Sequence, residues 1–137
     1  MVKCISHVCF VVSDLEESIR FYTGKLGLRV AFDFKNATGV RHGVYLHVGG
    51  RSFIELFTGA PQPAPEKTSF RHICLEVDSI AGAVASLRGA GVEVSDPKLG
   101  GDGSLQSWLK DPDENAIELH EFLPDSLQTA ALARART

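Results

Sequence analysis

Apolar and polar residues alternate through Ser6-His7-Val8-Cys9-Phe10-Val11-Val12, as in a strand whose successive side chains face opposite sides of a sheet. The period then changes. Leu15, Ile19 and Tyr22 fall at i, i+4 and i+7 on one helical stripe, and Asp14, with Glu17 three residues on, is a good N-cap. Gly24 and Gly27 close that helix, as helix C-termini favour. Leu28-Arg29-Val30 starts the next strand. Two more strand-like runs follow, Val44 to Val48 and Ser52 to Phe57, with Gly49-Gly50-Arg51 as the turn between them. The whole series recurs about 64 residues later. Arg71-His72-Ile73-Cys74-Leu75-Glu76-Val77 repeats the first strand, Ile80, Val84 and Leu87 repeat the stripe, and Gly89 and Gly91 repeat the stop. Val92-Glu93-Val94 is expected to start the next strand. Leu105 to Leu109 and Ala116 to Phe122 complete the series around the turn Asp111-Pro112-Asp113-Glu114-Asn115.

The pattern is therefore βαβββ twice. We assign residues 1–58 to a first module, 59–67 to a linker, 68–123 to a second module and 124–137 to a C-terminal surface tail. The linker contains Gly59-Ala60-Pro61-Gln62-Pro63-Ala64-Pro65, too rich in proline for helix or central strand. The tail, alanine-rich from Leu127 to Arg136, is expected to form a short surface helix. A module of about 60 residues buries little core by itself, so the halves are expected to pack together, within one chain or between two.

Composition narrows the function classes. The chain has 137 residues, 44% hydrophobic and 23% charged, the balance of a globular domain. No apolar run approaches the ~20 residues that cross a bilayer, and no leader pattern precedes His7, so a cytoplasmic location is expected. Cys4, Cys9 and Cys74 are an odd number and are expected as reduced thiols. A net charge of -3 with scattered signs offers no basic stripe for nucleic acid or anionic lipid, which leaves a small molecule as the expected partner.

Strand alternation separates two faces. Val8, Phe10, Val12, Val44, Leu46, Val48, Ile54, Leu56, Ile73, Leu75, Ile117 and Leu119 form a core face that the helices would cover. The other face mixes rings with ionisable groups: His7, Cys9, Tyr45, His47, Phe53, Glu55, Phe57, His72, Cys74, Glu76, Trp108, Glu118 and His120. Tyr45, Phe53, Phe57 and Trp108 suit a planar or apolar substrate part. His47 and His120 read as pocket lining, as proton carriers or as partners behind metal ligands. Cys9 and Cys74 read as small hydrophobes lining the pocket.

His7 and His72 occupy matched places in the two modules, and so do Glu55 and Glu118, each the centre of an Ile-Glu-Leu run. A carboxylate mid-strand between apolar neighbours is costly to bury without a partner for its charge. One divalent ion held by His7, Glu55, His72 and Glu118 would compensate both carboxylates. Imidazole with carboxylate suits Zn, Ni, Co, Mn or Fe and leaves room for substrate on an octahedral ion.

These residues resemble those of the vicinal oxygen chelate superfamily, which includes glyoxalase I, methylmalonyl-CoA epimerase, extradiol dioxygenases, fosfomycin-modifying enzymes and bleomycin-binding proteins. The likeness runs from Ile5 to Phe122. It extends to the turn, where the family's Asp-Pro-Asp-Gly-Asn has its glycine replaced by Glu114. The resemblance implies an α+β fold in which tandem βαβββ modules form a curved, half-barrel mixed sheet with helices on the convex face. The four-residue set is similar to that of bacterial glyoxalase I. This implies a metal-dependent lyase or isomerase acting through a metal-stabilised enolate, with Glu55 and Glu118 as the catalytic carboxylates, and a homodimer that shares its sites. Bacterial glyoxalase I grips glutathione through an arginine four residues after the first histidine and has an asparagine four residues after the first glutamate. Val11 and Gly59 stand there instead, so another small carbonyl or hydroxy compound competes with the glutathione adduct as expected substrate. An Fe(II) extradiol ring-cleaving dioxygenase and a metal-free binding protein of the bleomycin-resistance type are the alternatives.

Overall fold

The computed structural model describes residues 4–61 and 69–135; positions 62–67 of the expected linker lie outside the described residues. Two compact units result, one running to Thr68 and including Asp111–Asp113, the other formed by Ser69–Lys110 and the chain from Glu114 onward.

In the first unit the order is β1 (His7–Val12), α1 (Leu15–Gly24), β2 (Arg29–Lys35), β3 (Arg41–Gly49) and β4 (Ser52–Thr58). The strands form a mixed sheet in the order β1-β4-β3-β2, with β1 parallel to β4 and the other pairs antiparallel. The parallel pair follows from α1, which carries the chain back over the sheet before β2. Asp14 caps α1 by accepting from the Glu17 N–H at 2.9 Å, and Leu15, Ile19 and Tyr22 bury the predicted stripe. They meet Phe10, Val12, Val44, Leu46, Ile54 and Leu56, all buried. Each such side chain contributes about 1.5–3 kcal/mol relative to leaving it in water. Tyr22 is fully buried, and its hydroxyl donates to Asp111 Oδ2 at 2.9 Å. The Asp113 carboxylate accepts from Ser13 N–H at 3.1 Å, which fastens Asp111–Asp113 to this unit.

The second unit repeats the plan with β5 (Ile73–Glu76), α2 (Ile80–Gly89), β6 (Lys98–Leu99), β7 (Leu105–Lys110) and β8 (Ala116–Glu121), followed by α3 (Leu127–Ala135). Its sheet order is β5-β8-β7-β6, again with one parallel pair, β5 and β8. The fold is therefore α+β, two four-stranded mixed sheets with three helices among the described residues. Ser79 caps α2 through the Gly82 N–H, and Glu121 takes the Ile80 N–H at 2.7 Å.

The expected strand at Val92-Glu93-Val94 is reduced to a bridge between Val94 and Leu109, and the strand that follows is only two residues long. Pro97 lacks the N–H that would continue the ladder, and Asp96 turns instead to Arg88, 2.6 Å away. Val48, expected in the core, is exposed beside the Gly49-Gly50 turn, and Ile73 and Leu75 are only half-buried. The turn between β7 and β8 places Glu114 at φ 65, in the left-handed region that favours glycine.

Candidate functional site

Register places the ionisable groups. In the first sheet β1 and β4 pair Cys9 with Glu55, and β3 and β4 pair Tyr45 with Glu55, so Glu55 sits between them on the face away from α1. In the second sheet Cys74 and Trp108 flank Glu118 in the same way. The repeat seen in the sequence is thus also a repeat of cross-strand neighbours.

His7 opens β1 and puts its Nε2 3.6 Å from Glu55 Oε2. Its Nδ1 lies 3.1 Å from the Tyr45 hydroxyl, so one nitrogen is occupied by the phenol while the other faces the carboxylate. His72 directly precedes β5, with Nε2 3.2 Å from Glu118 Oε2 and its ring edge-on to Trp108 at 4.8 Å. Glu55 is half-buried, whereas Glu118 is 6% exposed. Burial, then the neighbouring Glu55 carboxylate, pushes the Cys9 thiol up to about 11. Burial and Glu118 push Cys74 up to about 12. Partial desolvation and Glu55 likewise raise the Tyr45 phenol.

The other predicted pocket residues divide between the sheets. Tyr45, Phe53 and Phe57 join one aromatic layer on the first sheet, with Tyr45 and Phe53 ring centroids 5.7 Å apart. His47 packs on Phe53 and turns its Nε2 to the Gly50 carbonyl, 3.2 Å away, rather than to Glu55. Trp108 is half-exposed beside His72. His120 is 8% exposed and brings Nε2 to 3.2 Å from Glu118 Oε1, the oxygen that His72 does not face. That nitrogen is buried and makes no hydrogen bond, because the contact has the distance but not the alignment.

Phe32 and Phe34 also belong to this face, which the sequence pattern does not reveal. Phe32 stacks on Tyr45 at 4.6 Å, and Phe34 lies 5.1 Å from Phe57. A bulge at Ala31 puts them there: Arg29 and Val30 pair with His47 and Leu46, but Phe32 then pairs with Tyr45, one residue out of step. Plain alternation from Val30 assigns both phenylalanines to the core face, and the extra residue turns them to the site face. Among the described residues, Cys74, Glu118 and His120 are a trio of metal-type donors whose ligand atoms all lie within 4.8 Å of one another.

No helix among the described residues is long and apolar enough to cross a membrane. The family model of the glyoxalase/bleomycin resistance protein/dioxygenase superfamily matches residues 4–119. The uncharacterized protein YwkD of Bacillus subtilis (strain 168) is 31% identical over 129 residues, covering 88% of this chain and 98% of its own. A probable lactoylglutathione lyase of Vibrio parahaemolyticus is 30% identical over 122 residues, covering 84% and 88%. Among solved structures, TnmS3, an antibiotic binding protein from Streptomyces sp. CB03234, superposes with a TM-score of 0.69 at 26% identity, covering 88% of this chain and 96% of its own. The chain belongs to the glyoxalase/bleomycin resistance protein/dioxygenase superfamily.

Proposed function

We propose that the protein is a metal-dependent lyase or isomerase of glyoxalase type, acting on a small carbonyl or hydroxy compound, with His7, Glu55, His72 and Glu118 as the residues that hold one divalent ion. The observation that carries this reading is the duplicated pairing of imidazole with mid-strand carboxylate, 3.6 Å apart in one module and 3.2 Å in the other. The donor set fits such an ion: two imidazoles and two carboxylates supply nitrogen, oxygen and compensating charge for Zn, Ni, Co, Mn or Fe. When bound, the ion supplies Lewis acidity that eases proton loss next to a substrate carbonyl.

The chain's own groups do the rest. A carboxylate poised beside the substrate takes a proton from carbon and returns it elsewhere. Glu55, half-buried with one imidazole at 3.6 Å, is freer to turn than Glu118, which has imidazoles at 3.2 Å on both oxygens. Tyr45 fixes the His7 ring through Nδ1, and Trp108 walls the His72 ring. Glutathione is not the expected carrier. A Cβ on Gly59 would lie 2.8 Å from Val11 Cγ1, so the two positions that depart from bacterial glyoxalase I are in contact and leave no room for the asparagine side chain without a shift. The reading extends to a two-fold homodimer that shares its sites between chains, in a cytoplasmic setting.

The test is metal content of protein purified without chelators, paired with turnover of α-keto and α-hydroxy compounds with and without glutathione. Stoichiometric metal with glutathione-independent turnover is the expected result. Oxygen uptake with catechols would instead favour the Fe(II) dioxygenase. A metal-free binding protein is the second reading, supported by the layer of Phe32, Phe34, Tyr45, Phe53 and Phe57 and by the likeness to an antibiotic binding protein. Absence of metal together with tight binding of a planar aromatic compound would favour it.

A further inference from the structure

We propose that the second module alone carries a seat for a thiophilic divalent ion, zinc or cadmium, formed by Cys74, Glu118 and His120. It goes beyond the four-residue reading and does not rest on it, since His7 and Glu55 take no part.

Three observations converge. Adjacent strands set Cys74 beside Glu118 in register, and the three ligand atoms lie within 4.8 Å of one another. His120 is more than nine-tenths buried, yet its Nε2 has no hydrogen bond. An unsatisfied buried polar atom costs about 1–3 kcal/mol, so it calls for a partner. That nitrogen stands 3.2 Å from Glu118 Oε1 without hydrogen-bond alignment. Two donors at such a distance, not aimed at each other, have the spacing of neighbouring ligands. Zinc bonds of ~2.0 Å to nitrogen or oxygen and ~2.3 Å to sulfur put tetrahedral neighbours about 3.3–3.6 Å apart. The His120 and Glu118 atoms already have nearly that spacing, and the sulfur needs to close by about 1.3 Å at most, within reach of a rotamer change. A thiolate, an imidazole and a carboxylate select zinc or cadmium over magnesium or calcium, with the fourth position open to water. On binding, the ion replaces the Cys74 thiol proton, which passes to solvent.

The first module is a built-in control. It has Cys9 beside Glu55 in the same register, but Phe57 stands where the second module has His120, two residues past the glutamate. The third donor is missing there. Because the seat uses Glu118, an ion in it competes with the four-residue site for one carboxylate, and excess zinc is expected to inhibit any activity that depends on Glu118.

The experiment titrates metal-free full-length protein with Cd2+ under a phosphine reductant and follows the ultraviolet thiolate-to-cadmium charge-transfer band. One equivalent per chain should saturate the band. C74S should abolish it, C9S should retain it, and the double variant H7A/E55A should retain it. H120F should weaken binding at least about tenfold, since even residues behind a ligand cost 10–100-fold; H120N replaces H120F if that variant does not fold. The seat is overturned by absence of the band in the wild type, by its survival in C74S, by its loss in C9S or H7A/E55A, or by unchanged affinity in a folded His120 variant. The four-residue reading fails separately, if H7A leaves Ni2+ content and turnover as in the wild type.

Discussion

Replacing Glu114 tests whether the turn between β7 and β8 holds backbone strain. Glu114 stands at φ 65, where an L side chain crowds the following carbonyl at a cost of roughly 1–2 kcal/mol, and where the family's turn has glycine. Its carboxylate also pairs with Lys110 on an exposed surface, so a glycine variant alone would mix two effects. Comparing Glu114→Gly with Glu114→Ala removes the ambiguity, because both lose that ion pair and differ only in Cβ. At an ordinary exposed position alanine exceeds glycine by about 0.4–1 kcal/mol through the entropy of the unfolded chain. Here relief of the left-handed conformation should outweigh that handicap, leaving glycine ahead by about 0.5–1 kcal/mol. For a chain of this size that is a Tm difference of about 2–5 °C. Urea titration with matched m-values gives the free energy and calorimetry the Tm. If the alanine variant is as stable as the glycine variant or more so, the strain assigned to this turn is not there.

Tyr22→Phe removes a buried hydrogen bond to the Asp111 carboxylate and should cost about 1.5–3 kcal/mol in urea unfolding; a loss below 0.5 kcal/mol would show that the bond contributes little. Glu118→Ala should lower metal content and turnover together, and a variant with full metal and full turnover would reject the four-residue site. Asp102 is held below the ordinary carboxylate range by the Ser104 N–H and the Gln128 side chain. Its contribution is therefore present above the unfolded value near 3.9 and lost as pH falls through the lower folded value, so amide protection of α3 should fall on acidification below about pH 4. Unchanged α3 protection at pH 2.5 would show that Asp102 does not anchor the helix. In a mixture of inactive His7→Ala and His72→Ala chains a shared-site dimer regains one complete ligand set, so activity should return; inactivity in proven heterodimers would leave sites built within single chains.

The strands, the first two helices and the pairing of His7 with Glu55 and His72 with Glu118 were legible because the chain states them twice, and a periodicity repeated at matched positions is hard to produce by chance. What was lost needed register. The Ala31 bulge moves Phe32 and Phe34 across the sheet, and no local preference in Arg29–Lys35 marks it. Pro97, which has no N–H for the ladder, directly precedes a β6 of only two residues, so its local constraint outweighs the repeat there. Cys74 was read as a small hydrophobe because its neighbours in sequence are apolar, whereas its neighbours across the strand are a glutamate and, two positions on, a histidine.

The repeat equates positions without equating what stands in them. Two residues past the glutamate, the first module has Phe57 in a layer of rings, and the second has His120 against a carboxylate. Opposite the glutamate, Tyr45 stacks with Phe32, while Trp108 meets only the edge of His72 among the ring contacts described. A frame duplicated in backbone has therefore diverged in side chains, one sheet toward apolar surface and the other toward polar donors. Each sheet therefore offers a small molecule its own kind of contact. Planar apolar groups gain most on the first sheet, where offset and edge-on ring contacts are available, and oxygen or sulfur donors gain most at the second, where buried nitrogen and carboxylate stand close together.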